Sequence, residues 1–210
     1  MRSAAATALD CLAAQLPIRP ISIILTLLCP AGYKRGMGYW VRPALYADVA
    51  AIGRVARETW RVTYAHTIAP HNQQLVLEHS YADETLAAAL AAPDSWFFVA
   101  LDGREIVGFA QFIRRRDRHG ELARIYVLPN HQRRGIGRAL LLAGVYALEA
   151  IGVHRCYVSV ETDNAPAIAF YQRFGFRYHR LYAIFVGDQL VHLMELRTSL
   201  RALRHAIQTP

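Results

Sequence analysis

Apolar residues recur along this chain at two spacings, and the places where one spacing gives way to the other mark its elements. Val49, Ile52, Val55, Ala56 and Trp60 fall three and four residues apart behind Asp48, a good N-cap type, and predict a helix with one buried stripe. After the turn at Ala69-Pro70 a second helical stretch is predicted through Leu90, and Pro93-Asp94-Ser95 ends it. Compact apolar runs then replace the helical period: Trp96 to Leu101, Glu105 to Arg114 and Glu121 to Leu128. Asp102-Gly103 joins the first two as a hairpin. Ala139 to Ile151 returns to helical spacing, Cys156 to Val160 reads as a strand, and Asn164 opens another helix. Phe176 to Val186 and Leu190 to Leu196 flank the turn Gly187-Asp188. The pattern predicts an α/β (α+β) domain: a mixed, mostly antiparallel sheet of about six or seven strands flanked by helices, with hairpins at both ends.

The segment from Val127 to Arg138 is the most informative. A strand stops at Pro129, and Gln132-Arg133-Arg134-Gly135-Ile136-Gly137 opens the long helix. Such a junction aims unpaired N–H groups and the positive end of a helix dipole at one point, which suits a phosphate. Gly135 and Gly137 let a ligand approach the backbone, and Arg133, Arg134 and Arg138 add charge there. Neither a P-loop nor a dinucleotide fingerprint fits, because no Gly-Lys-Ser/Thr follows and position 140 is Leu140.

A second motif follows about thirty residues on: Asn164-Ala165-Pro166-Ala167-Ile168-Ala169-Phe170-Tyr171, then Phe174-Gly175-Phe176. The two motifs, in this order and spacing, resemble the GNAT superfamily of acetyl-CoA-dependent N-acetyltransferases, over roughly Tyr39 to Arg197. The resemblance implies that Ile125, Tyr126 and Val127 pair through their backbone with the pantetheine arm of acetyl-CoA. It implies that Gln132, Arg133, Arg134, Gly135, Ile136, Gly137 and Arg138 surround its diphosphate. Asn164 would contact the pantetheine while capping its helix. Tyr171 would reach the coenzyme sulfur as a general acid or as a donor stabilising the thiolate, a role a phenol suits because its proton is present at neutral pH.

The base is less determined. Glu121 is the first candidate, since relatives place a carboxylate on that strand, and Glu161 the second; deprotonation through water is the alternative. Trp60, Thr63, Tyr64 and Pro70 are similar to a segment of small bacterial acetyltransferases, some acting on polyamines, which makes Thr63 and Tyr64 acceptor-pocket candidates. A polyamine pocket needs carboxylates, and Glu58, Glu78, Asp83, Glu84 and Glu121 are those available. The expected reaction is acetyl transfer to a primary amine of a polyamine-like small molecule or peptide. A protein N-terminus is the rival acceptor, an aminoglycoside-type or amino-acid acceptor stays open, and a non-catalytic acyl-CoA sensor is the reading from another class.

Composition adjusts this picture only at its margins. A 54% hydrophobic share with 19% charged residues excludes a disordered chain. The net charge of +8 rests on arginine, with Lys34 the lone lysine. Arg133, Arg134 and Arg138 already have a small-molecule explanation, so nucleic acid is not an expected partner. Three cysteines without a C-x-x-C suit a reducing cytoplasm, and nine histidines without ligand spacing predict no metal. Residues 1 to 38 read as an extension, disordered or a start-site artefact. Its apolar run from Ile21 to Cys29 is too short to span a bilayer, so no membrane association is expected. Residues 39–200 form the catalytic domain and 201–210 a tail; a monomer or homodimer is expected.

Overall fold

The computed structural model describes residues 38–209; the extension predicted over residues 1 to 38 lies, apart from Gly38, outside them. Seven strands form one sheet in the order β1-β2-β3-β4-β5-β7-β6. They are β1 (Tyr39–Pro43), β2 (Ser95–Asp102), β3 (Glu105–Arg114), β4 (His119–Val127), β5 (Arg155–Glu161), β6 (Arg177–Val186) and β7 (Gln189–Ser199). All neighbouring strands run antiparallel except β4 and β5. This is the mixed, mostly antiparallel sheet that the apolar pattern predicts.

Six helices flank it among the described residues: α1 (Val49–Thr63), α2 (Pro70–Ser80), α3 (Asp83–Ala91), α4 (Ile136–Ala150), α5 (Ala165–Arg173) and α6 (Leu200–Gln208). Strand alternation assigns α1 and α4 to opposite faces. Phe109 of β3 meets Tyr126 of β4, whose hydroxyl reaches Trp60 of α1. Phe112, an odd number of positions along β3, faces α4, where a Cβ on Gly144 would lie 2.0 Å from its ring. The predicted stripe of α1 is buried at Val49, Ile52, Val55, Ala56 and Trp60.

Three local expectations need correction. Asp48 sits at the N-cap of α1, but its side chain does not cap that helix. It accepts instead from both terminal nitrogens of Arg42 and from the Leu45 N–H, because Arg42 offers a bidentate, charge-assisted partner. The helical stretch through Leu90 is two helices. Ala82 is extended between them, and Tyr81 turns into the core at 3% exposure. The supposed tail is α6, capped by the Ser199 hydroxyl, which accepts from the Ala202 N–H. Its Leu200, Leu203 and Ile207 are buried at helical spacing, an apolar face that water would otherwise meet.

Candidate active site

The site begins with a fault in the sheet. Ala123 is an extra residue in β4: Gln111 pairs with Arg124 and Phe112 with Leu122, leaving Ala123 without a partner. A bulge bends and twists its strand. The parallel pairing of β4 with β5 runs only over His119, Gly120 and Glu121 against Arg155, Cys156 and Tyr157. Beyond it, β4 continues on β3 to Val127 and β5 continues on β7 to Glu161. A wedge therefore opens between two adjacent strands. Along it, Ile125, Tyr126 and Val127 present a β4 edge that pairs with no strand on the β5 side.

The glycine turn closes the mouth of this wedge. Gly135 is left-handed at φ 85° and precedes α4 without any side-chain cap. A Cβ there would lie 2.8 Å from the Tyr39 hydroxyl oxygen, and one on Gly137 would lie 3.1 Å from the Phe170 ring. Only glycine keeps the backbone open at both points. The Ala139 N–H donates to the Gly135 carbonyl; the first amides of a helix have no partner within it, and together they suit a phosphate. Arg133 (itself at φ 62°) and Arg138 are exposed beside them. Arg134 is partly engaged by Asp102 at 3.2 Å. The Gln132 side chain folds back, donating to the Val127 carbonyl at 3.0 Å, which ties the turn to the end of β4. Ile136 buries its side chain in the core, so only its backbone faces the turn. Asn164 caps α5 by accepting from the Ala167 N–H at 3.1 Å.

Deeper in, tyrosines from four elements meet. Trp60 Nε1 and the Tyr81 hydroxyl both donate to the Tyr126 hydroxyl, at 3.1 and 3.0 Å. The Tyr64 ring packs on Trp60 with centroids 4.4 Å apart. Tyr171 is buried and set edge-on to Phe170 and Phe176. Burial pushes the Tyr171 hydroxyl well above the usual phenol range, and Tyr64 and Cys156 add to this, so its proton is firmly held. Burial raises Tyr64 and Tyr126 likewise. Glu161, only 8% exposed at the end of β5, accepts from the Thr67 hydroxyl at 3.0 Å. Burial lifts this carboxyl above its ordinary range against the opposing Thr67 hydrogen bond, and Asp163 adds to the rise. The Cys156 thiol is pushed up to about 12 by burial, so it stays protonated and unreactive.

Sequence reasoning and structure part company over the carboxylates. Glu121 lies where β4 and β5 still pair, bound to Arg115 at 2.6 Å, and Arg115 also reaches the buried Glu195. That ion-pair network holds it apart from the tyrosines. Glu58 pairs with Arg54 on the surface, Glu78 accepts from Gln74, and Asp83 and Glu84 are exposed in the first turn of α3. These carboxylates do not converge. Thr63 is exposed at the end of α1, outside the cluster, whereas its neighbour Tyr64 is inside. Thr67, Tyr81 and the Tyr126 hydroxyl were missed. Their partners are 94, 45 and 66 residues away, and no local pattern signals such a contact. Gln189 was missed too: its side chain donates to the Thr67 carbonyl and accepts from the Ala69 N–H, clamping the loop after α1 to the β6–β7 turn. No cluster of His, Cys, Asp or Glu among the described residues can hold a metal, and no described helix is long and apolar enough to cross a membrane.

Comparison with known proteins bears on this geometry. Residues 50–176 match the model of the Acetyltransferase (GNAT) family. An uncharacterised N-acetyltransferase, YuaI of Bacillus subtilis, is 36% identical over 141 residues, 64% of this chain and 78% of its own length. Spermidine N(1)-acetyltransferase of Thermoplasma acidophilum is 26% identical over 145 residues, 67% of this chain and 89% of that enzyme. A mycothiol acetyltransferase of Actinosynnema mirum is 38% identical over 81 residues, 38% of this chain, but the match spans only 27% of that enzyme. The fold matches the PaiA N-acetyltransferase of T. acidophilum, solved with coenzyme A, at a TM-score of 0.66 and 24% identity over 75% of this chain and 97% of that one. The split sheet, its glycine turn and the family match lead to one conclusion: the chain belongs to the GNAT family and is an N-acetyltransferase.

Proposed function

We propose that the chain transfers the acetyl group of acetyl-CoA directly to a primary amine held between the ends of β4 and β5. One observation carries this reading: the β4 edge at Ile125 to Val127, paired with no strand on the β5 side, leads to an uncapped glycine turn that Gln132 ties to its end. Acetyl-CoA supplies the activated thioester.

The chain's own residues divide the remaining work. The amides from Gln132 to Arg138, with Arg133 and Arg138, take the diphosphate, and the open β4 edge at Ile125 to Val127 pairs with an extended amide-bearing arm. Holding the donor this way turns a bimolecular encounter into a near-unimolecular step. Glu161 takes the proton of the attacking amine. As nitrogen bonds to the acetyl carbon and the carbon–sulfur bond breaks, the Tyr171 hydroxyl donates its proton to sulfur. Glu121 has no part in this proposal, because Arg115 and the strand pairing hold it elsewhere.

The test is thiol release from acetyl-CoA by the full chain, offered polyamines, amino acids and short peptides, with coenzyme A binding followed calorimetrically. Turnover that Tyr171→Phe lowers while coenzyme A still binds is the expected result. Unchanged turnover in Tyr171→Phe overturns its role, and an absence of both turnover and binding overturns the proposal itself.

A further inference from the structure

The inner face of β4 carries a cation, Arg124, whose Nη1 has no hydrogen-bond partner among the described residues. Arg124 stands two residues before Tyr126 and so projects to the same side of the sheet. Its guanidinium lies 4.7 Å from the ring centroid of Tyr81, the tyrosine that donates to Tyr126. One terminal nitrogen, Nη1, is sealed from water and hydrogen-bonds to nothing among the described residues. A buried guanidinium N–H without an acceptor is costly, and native structures rarely leave one so. Two nearby acids are held by another arginine, and the third accepts only a neutral hydroxyl. Glu161 accepts from Thr67, while Glu121 and Glu195 are bound by Arg115.

We propose that Arg124 receives a carboxylate of the acceptor, so that the substrate is an amino-acid-like molecule bearing both an amine and a carboxylate. This rests on the acetyl-transfer reading above and narrows its acceptor. The two walls of the wedge carry opposite charges in the right places. Arg124 lies three residues beyond the last parallel pair on β4, and Glu161 four residues beyond it on β5. A zwitterion satisfies both, with its amine toward Glu161 and its carboxylate toward Arg124. A guanidinium suits this task because its planar fork matches a carboxylate and keeps its charge at any working pH. A polyamine meets the wrong sign at Arg124, and the carboxylates that would gather its cations lie on the surface or in other ion pairs. Arg124 touches no reacting atom in this arrangement; it is a specificity residue and acts on binding.

Matched acceptors decide the matter: free L-amino acids, the same amino acids as C-terminal carboxamides, and spermidine. Thiol release is measured for the full-length wild type, Arg124→Gln and Arg124→Lys. The expected wild-type order places the free amino acids first, with KM for the carboxamides about 10- to 100-fold higher, the range of a charged hydrogen bond. Arg124→Gln should raise KM for amino acids by a similar factor, leave kcat nearly unchanged and leave the carboxamides unaffected. Arg124→Lys, which keeps the charge over Tyr81, should recover part of the loss. A preference for spermidine or carboxamides overturns the proposal, as does an Arg124→Gln effect equal on both amino-acid forms. Calorimetric titration of the amino acids onto the protein loaded with coenzyme A reads the same contact without turnover. Binding weakened by Arg124→Gln supports it; no binding, or equal binding, overturns it. Failure of the acetyl-transfer reading itself looks different: no thiol is released with any amine, and coenzyme A does not bind.

Discussion

At the residue scale, the proposed mechanism asks Tyr171 to give a proton and Glu161 to take one, and burial bears on both. Tyr171 keeps its proton because its phenolate would sit in the core, and Glu161 becomes a better base because its carboxylate is poorly solvated. Removing the phenol tests the first. Tyr171→Phe should lower kcat by about 10²- to 10⁴-fold, the usual worth of a positioned acid, with coenzyme A affinity unchanged by calorimetry. Glu161→Gln tests the second by separating activity from stability. A carboxyl whose folded pKa lies above its unfolded value binds more protons when folded, so its contribution is full at low pH and lost as pH rises through the folded pKa. Ionising Glu161 as pH rises therefore weakens the fold. Glu161→Gln, which can still accept from Thr67, should melt at or above the wild-type temperature at pH 7 while losing activity. That gain should vanish below the ordinary glutamate range near pH ~4.3. A variant that melts lower at pH 7 contradicts this account of the site.

At the element scale, two turns do the positioning. The Gly135 turn needs a left-handed residue and a clear path past Tyr39. Gly135→Val meets both obstacles: it should cost about 1–2 kcal/mol of stability through the backbone alone and abolish coenzyme A binding in a calorimetric titration. The β6–β7 turn acts at a distance. A Cβ on Gly187 would lie 1.9 Å from the Asn72 side-chain oxygen, and the same turn carries Gln189, which holds the loop bearing Thr67. Gly187→Ala should therefore raise KM for the acceptor more than it disturbs coenzyme A, because in the proposed arrangement the loop it displaces lies on the amine side and not by the phosphates. Equal losses in both would place this turn outside the acceptor site. The glycine turn was legible in the sequence because its parts are consecutive residues. The β6–β7 clamp was not, since Gln189 and Thr67 are 122 residues apart and neither type is unusual in a loop.

At the scale of the whole molecule, the sheet is one continuous surface with a defect at its middle, and the chain ends in a helix that closes its core. Leu203 of α6 is completely buried, so Leu203→Ala should lower stability by about 2–5 kcal/mol in a denaturant melt while leaving KM values nearly unchanged. A loss below about 0.5 kcal/mol would make α6 no more than the tail expected over residues 201–210. The sequence by itself determined the order of strands β2 to β7, the hairpins at Asp102-Gly103 and Gly187-Asp188, the phosphate-suited turn and the helix carrying Tyr171. Each of these is written in adjacent residues or in a period of two or three to four, which a linear chain displays directly. Only the tertiary structure decided which carboxylate joins the tyrosines. Glu121 and Glu161 both sit near a strand end and look alike in sequence. A single bulge at Ala123 and the end of pairing at Glu121 leave one in an arginine pair and the other in the wedge. The same is true of Arg124, whose missing partner is a property of its surroundings: charge balance depends on neighbours in space, and those neighbours come from distant parts of the chain.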